Sequence, residues 1–278
     1  MFDPKENPIE TARALAIEGR FNHLAGNHGE AIELLKKAAE LVAAVPEQET
    51  LTDFAATTVS DIYAFLAGAY QHMGRFTDGN VWAWRAVEFG NKHDIPLAQA
   101  LGYEFLGENT MNAGDWQKAL QYATREREIV ARLHSRERQA WTYLVTSVSY
   151  MTSGAAGDLR SAELELREGM ALAESIGEQR LALLLKGNLA ILLADLERFD
   201  EAFETARENY QGAEALGLLY SRTEGRRCLA HVHFKHGELD ETLRLCDEIL
   251  ELLGEAKVAH QSSVVRAVAH RGALSVGP

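Results

Sequence analysis

Two groups of side chains have the types and the spacing that could hold a metal ion or move a proton. Glu104 and Glu108 are four residues apart, which places both carboxylates on one face of a helix. His231, His233 and His236 form a His-x-His-x-x-His sequence, in which only the last two share a helical face. Carboxylates and imidazoles bind divalent metals and exchange protons. Acidic or histidine-rich helix faces are also common in solvent, so neither group alone predicts an active site.

The sequence lacks the short motifs that identify common enzyme classes. It contains no His-Glu-x-x-His, no phosphate loop of the Gly-x-x-x-x-Gly-Lys-Ser/Thr type, no Gly-x-Ser-x-Gly and no Cys-x-x-Cys. A catalytic or metal-binding interpretation therefore depends on Glu104 and Glu108 with the neighbouring His72. We expect no enzyme activity, no cofactor and no bound metal, and metal analysis of the purified protein checks the last point.

The elements that position these residues are predicted to be helices in a repeat. A short turn, an apolar residue, two further residues and a small residue recur six times at steps of about 40 residues, from Gly26–Ala31 to Gly237–Thr242. Between the turns, apolar residues are spaced three and four apart, which is the helical period. Fixed-period repetition is typical of a solenoid, whose units bury one face against their neighbours. We therefore predict an all-α protein with essentially no sheet.

The same repetition predicts the organisation of the chain. Six helix pairs are expected over residues 9–255, after an N-terminal tail at 1–8. A capping helix, or half of a further repeat, is expected at 256–272, followed by a tail at 273–278.

The composition limits the classes of partner and compartment. The chain of 278 residues has 28 basic and 41 acidic side chains and a formal net charge of −13, which repels nucleic acid and anionic membranes. The N-terminus lacks a secretory signal, and no apolar run approaches the length of a membrane span. Cys228 and Cys246 lie in helical runs, as expected for buried free thiols in a reducing compartment. We therefore expect a cytoplasmic protein.

The repeats resemble the tetratricopeptide repeat, in which small residues let paired helices approach closely and large ones fill the gaps between pairs. In the third repeat Glu126 occupies the last small position, as Asn209 does in the fifth, and the fifth repeat also lacks the turn glycine. The step of about 40 residues exceeds the roughly 34 of the plain family and is similar to the long-helix type in bacterial regulatory proteins. The resemblance implies a right-handed α–α superhelix. In the second repeat the motif is carried by Tyr63, Leu66, Ala67, Tyr70, Phe76, Gly79, Ala83 and Ala86.

The resemblance also implies that the first helix of each pair faces a concave groove. Ala16 and Arg20 stand where chaperone-tail binders of the family carry Lys and Asn, so that carboxylate clamp is absent. If the assumed register is wrong by one position, a residue predicted for the groove packs between repeats instead. This alternative applies to every predicted groove residue. The predicted groove residues are Arg20, His72, Glu104, Glu108, Met111, Trp141, Val148, Met151, Asn188, Arg227 and His231.

Met and aromatic side chains on one adaptable surface suit a peptide or an amphipathic helix of a partner protein. The first functional hypothesis is thus an interaction scaffold that binds such a partner in the groove. The alternative is the ligand-sensing arm of a bacterial signalling or transcription regulator, and an unrecognised groove enzyme is a third hypothesis. A homodimer is compatible with the sequence, because poorly capped solenoid ends stack on each other.

Overall fold

The computed structural model describes residues 7–46, 52–154 and 156–255, which form helices joined by short turns and contain no strand. The prediction of six helix pairs in an all-α protein is confirmed for these ranges. The predicted C-terminal helix at 256–272 and the tail at 273–278 lie outside the described residues, as does most of the N-terminal tail. The helices are α1 (Pro8–Leu24), α2 (His28–Ala43), α3 (Asp53–His72), α4 (Phe76–His93), α5 (Pro96–Asn112), α6 (Trp116–Leu133), α7 (Arg136–Ser153), α8 (Ala156–Ser175), α9 (Gln179–Asp195), α10 (Phe199–Leu216), α11 (Leu219–His236) and α12 (Leu239–Glu255).

The turns within the pairs depend on a left-handed backbone conformation. The fifth pair has no glycine at this place, and Glu197 adopts φ of 59° instead. A residue with a side chain in the left-handed region costs about 1 kcal/mol. The fifth pair therefore keeps the same turn as the others, with backbone strain at Glu197. Five first helices are each followed by a glycine with φ between 67° and 91°: Gly26, Gly74, Gly114, Gly154 and Gly237.

Small residues bring the helices together as the repeat motif requires. At Gly102 in α5, a Cβ atom would lie 2.5 Å from Val87 Cγ2 and 2.7 Å from the Ala83 carbonyl oxygen of α4. Glu126 and Asn209, which replace small residues in the motif, are 0 % and 3 % exposed. Polar side chains are thus enclosed between helices at two positions where the family has a small apolar residue.

The contacts divide the chain into two compact units, α1–α6 and α7–α12, where the sequence predicts a single array. Within each unit, successive first helices pack on one another: α1 on α3 and α3 on α5, and likewise α7 on α9 and α9 on α11. In the described ranges the second helices do not pack on each other to a comparable extent. A stack that is tighter on one side curves toward that side. The first helices therefore line the concave side of each unit.

Candidate binding faces of the first helices

In the unit α1–α6, polar side chains are tied together across the first helices. Arg13 of α1 forms an ion pair with Asp61 of α3. Gln71 of α3 donates from Nε2 to a carboxylate oxygen of Glu108 in α5, at 3.0 Å. The exposed Arg20 lies with its guanidinium 5.3 Å from the ring centroid of Phe65. The structure therefore places the predicted residues Arg20 and Glu108 where neighbouring first helices meet.

Three histidines from three helices pack into one cluster in this unit. The rings of His23 (α1), His28 (α2) and His72 (α3) have centroids 4.8 to 5.1 Å apart. The Nδ1 atoms of His23 and His28 are 3.2 Å apart, and His72 Nδ1 donates to the Gly68 carbonyl at 2.9 Å. Burial, and then the charge of His72, lower the pKa of His28 to about 4. His28 is therefore neutral at pH 7.

The remaining predicted residues of this unit differ in accessibility. Met111 is half-buried, whereas Glu104 is only 6 % exposed and lies between helices. Across the part of the chain that the structure describes, no three His, Cys, Asp or Glu side chains are grouped to hold a metal ion. The structure therefore does not bring Glu104, Glu108 and His72 together as a group of three ligands.

The histidines of α11 diverge instead of forming one site. His233 and His236 both contact Glu238 through Nδ1, at 2.5 and 2.8 Å. His231 contacts Asp195 of α9 instead, with 3.2 Å between Nε2 and Oδ1. The His-x-His-x-x-His sequence is therefore divided between a local contact at the end of α11 and a contact between first helices.

The concave side of the unit α7–α12 combines an aromatic ring with a basic group. Trp141 of α7 is 9 % exposed and belongs to the apolar core. The guanidinium of Arg180 in α9 lies 5.0 Å from its ring centroid, which is cation–π distance. Val148 and Met151 of α7 are half-buried, and Met151 packs against the same core. Trp141 thus offers little contact surface of its own and instead supports Arg180.

Further along this side, charged residues pair with one another. Arg227 contacts one carboxylate oxygen of Glu224 from two of its nitrogens, at 2.8 and 2.9 Å. The charge of Glu224 is the main reason why the pKa of Arg227 is raised. Asp195 accepts from Lys235 at 2.9 Å as well as contacting His231. Burial raises the pKa of Asp195, but these two hydrogen bonds outweigh it and hold the pKa below its ordinary value.

Asn188 marks the centre of the α9 face, and the structure extends that face in both directions. Its Nδ2 donates to the Leu184 carbonyl of the same helix at 3.0 Å, so in the described chain it ties no two helices together. Arg180 and Asp195 lie eight residues before and seven residues after it, within the same helical face. Neither was among the predicted groove residues, although two helical turns in either direction from Asn188 lead to them.

A narrow cleft opens beside Arg180 between α9 and α11. Its floor includes Cys228, whose thiol has a pKa raised to about 11 by burial. Glu224 borders the same cleft and is the partner of Arg227. The lining residues are Arg180, Leu183, Leu184, Asn209, Ser221, Glu224 and Cys228.

Comparison with known proteins supports the fold. No protein-family model matches the chain, and no curated protein sequence matches it. Among solved structures, the Rap conjugation gene regulator of the plasmid pLS20, in complex with the Phr* peptide, has a TM-score of 0.73 at 14 % identity, covering 98 % of this chain and 75 % of that one. A Rap protein complexed with competence and sporulation factor has a TM-score of 0.66 at 15 % identity, with coverages of 94 % and 74 %.

A third solved structure contains recognised repeats. The TPR-like repeats of a putative kinesin light chain from Podosopora anserina match with a TM-score of 0.50 and 18 % identity, covering 72 % of this chain and 97 % of that one. At such identities the likeness concerns the fold. The chain thus has a tetratricopeptide-like helical solenoid fold, as its repeats predict. In the ranges that the structure describes, no helix is long and apolar enough to cross a bilayer.

Proposed function

We propose that this protein is an adaptor that binds a peptide or a helix of a partner protein on the concave face of its unit α7–α12. The observation that carries the proposal is the α9 face, where Arg180 rests on Trp141 beside the cleft to α11. It joins a basic donor, the apolar Leu184 and the amide of Asn188 on one curved surface. Few, convergent polar groups on such a surface suit peptide recognition.

Two further observations support a protein partner. The pLS20 regulator was solved with a peptide, and the second Rap protein with competence and sporulation factor, on the same fold as this chain. The net charge of −13 favours a protein over nucleic acid or an anionic membrane. Cys228 and Cys246 are both free and buried, in keeping with a cytoplasmic location. Self-association into a homodimer belongs to the same proposal, and light scattering at several concentrations tests it.

Selection from a displayed library of random decapeptides tests the proposal. Peptides that bind the wild-type protein are synthesised with a fluorophore, and their affinity is measured by fluorescence anisotropy. We expect Asn188→Trp to weaken binding at least about tenfold, because a larger side chain then occupies the α9 face. Glu204→Trp, at an exposed position of α10, is the control and retains affinity. Circular dichroism confirms that both variants are folded.

Two results would contradict the proposal. One is a selection that enriches no peptide, and the other is an affinity unchanged by Asn188→Trp in a folded variant. The full set of predicted groove residues, on both units, is open to the same substitution test. In the unit α1–α6 the choices are Arg20, which is exposed, and Glu108, His72 and Met111, which are half-buried.

A ligand-sensing arm of a regulator is the second candidate function. It is favoured by a likeness, with a TM-score of 0.55 and 10 % identity, to a signal transduction ATPase with a tetratricopeptide repeat sensor from Pyrococcus horikoshii. This chain covers only 44 % of that protein. Small-angle scattering distinguishes the two candidates: a sensor changes its radius of gyration when the selected peptide binds, whereas a rigid adaptor does not.

A further inference from the structure

Charge in the unit α7–α12 is distributed unequally between first and second helices. The second helices α8, α10 and α12 together carry 16 acidic and four basic side chains. The first helices α7, α9 and α11 carry three acidic and eight basic ones. In a protein with a net charge of −13, the concave layer of this unit is therefore basic and the convex layer strongly acidic.

Part of this difference serves the packing of the helix pairs. Lys186 of α9 pairs with Glu208 of α10 at 3.0 Å. Arg226 of α11, which is 6 % exposed, pairs with Glu214 of α10 and with Glu248 of α12, the latter at 3.1 Å. These basic groups are already paired with carboxylates of the unit, so they are not available to pair with a charged ligand.

Arg180 is different, because no described residue offers it a carboxylate within ion-pair distance. Its guanidinium contacts the Trp141 ring and lines the cleft between α9 and α11. A guanidinium fixed on an aromatic face keeps its planar set of donors oriented, so little freedom is lost when it binds a carboxylate. The acidic residue that shares the cleft, Glu224, is already paired with Arg227 and does not compensate Arg180.

We infer that this face binds an acidic peptide segment, one carboxylate of which pairs with the guanidinium of Arg180 above Trp141. The inference rests on the proposed function and names the chemistry of the partner. The carboxylate comes either from an Asp or Glu side chain or from the C-terminus of the peptide. Asn188 and Leu184, on the same side of α9, contact the adjoining part of the segment.

A peptide fits these charges better than a nucleic acid. A polyphosphate chain gains affinity from many dispersed basic contacts, whereas most basic groups of this unit are compensated internally. The 16 acidic side chains of the convex layer also repel a long polyanion. One carboxylate placed at Arg180 meets the basic group and avoids the acidic layer. The same layer steers an acidic segment toward the concave side.

The experiment combines changes in the protein with changes in the peptide. Each peptide selected on the wild-type protein is resynthesised with each Asp or Glu in turn replaced by Asn or Gln, and separately with an amidated C-terminus. Affinities are measured for the wild-type protein, Arg180→Ala, Arg180→Lys and Arg207→Ala. Arg207 is the matched control, because it lies 5.4 Å from the Phe203 ring centroid on the second helix α10. A uridine decanucleotide at physiological salt is the nucleic-acid probe.

We expect removal of one carboxylate from the peptide to weaken binding to the wild-type protein about tenfold or more. Arg180→Ala lowers the affinity for the acidic peptide by a similar factor. It has little effect on the affinity for the peptide that lacks this carboxylate, so the two changes are not additive. Arg180→Lys retains part of the affinity, and Arg207→Ala retains all of it. The amidated peptide shows whether the carboxylate is terminal or on a side chain.

Failure of the inference is distinguishable from failure of the proposed function. Two results overturn the inference alone. In the first, peptides bind the α9 face but their affinity does not change when any carboxylate is removed. In the second, the affinity depends on a carboxylate to the same extent in Arg180→Ala as in the wild-type protein. Binding of the uridine oligonucleotide that depends on Arg180 and displaces the peptide overturns it as well. A selection that enriches no peptide overturns both.

Discussion

Acidification is expected to destabilise the unit α1–α6 through His28. This imidazole is 8 % exposed, bonded to His23 and stacked near His72, and its pKa is lowered from 6.5 to about 4. A lowered pKa means that folding favours the neutral form. The stabilisation is complete above the unfolded pKa of about 6.5 and is lost as the pH falls toward 4.

The magnitude follows from the two pKa values. Between pH 7 and pH 5, a group that titrates near 6.5 when unfolded and near 4 when folded lowers the free energy of unfolding by about 2 kcal/mol. At pH 5 the unfolded chain protonates this histidine almost completely, whereas most folded molecules keep it neutral. His23 and His72 face the same site, and the charge of His72 is already included as the second cause of the lowered His28 pKa.

The assay is urea unfolding followed by circular dichroism at pH 7, 6 and 5, for the wild-type protein and for His28→Gln. We expect the variant to lose about 2 kcal/mol of the pH dependence, because a neutral amide replaces the titrating ring. His134→Asn, at an exposed left-handed position after α6, is the control and keeps the wild-type dependence. Equal pH dependence of the wild-type protein and His28→Gln would refute the reasoning, as would a His28 pKa near 6.5 measured by NMR titration.

Two further predictions concern packing and thiol chemistry. Gly102→Ala lowers the free energy of unfolding by about 2 kcal/mol, because the new Cβ collides with Val87 and the backbone of α4. Gly29→Ala, where a Cβ meets nothing within 4 Å, is the control and raises the free energy of unfolding by about 0.5 kcal/mol. Equal urea midpoints for the two variants would contradict the close approach of α5 to α4 at Gly102. Cys228, with a pKa of about 11, is about one part in a thousand thiolate at pH 8, so it reacts with a disulfide reagent only after unfolding. Rapid modification of Cys228 in the native protein, located by mass spectrometry, would contradict its burial.

The elements of the fold were predictable because the local signals agree with each other. Turn, apolar residue and small residue recur with the helical period between them, and each level of the pattern indicates the same structure. The absent turn glycine of the fifth repeat was visible in the sequence, and Glu197 adopts the glycine-like conformation there. The surrounding helices determine this turn more strongly than the preference of a single residue.

The exposure of individual groove residues was not predictable to the same extent. Trp141 and Glu104 lie on first helices as predicted, yet both are nearly buried. A rotation of the helix by a fraction of a turn moves a side chain from the concave face into the layer between repeats. That rotation depends on the volumes of side chains in the neighbouring helices, which the helical period alone does not specify.

The sequence by itself determined the class of structure: helices paired at a step of about 40 residues, a net negative charge and buried thiols. These follow from local periodicity and composition. Only the tertiary structure decided which distant residues meet, such as Trp141 with Arg180, or His23 and His28 with His72. Each contact joins different helices, so it depends on how the helices pack and not on spacing along one helix. The division into two units, and the position of Arg180 away from the carboxylates of the described residues, became visible at this level.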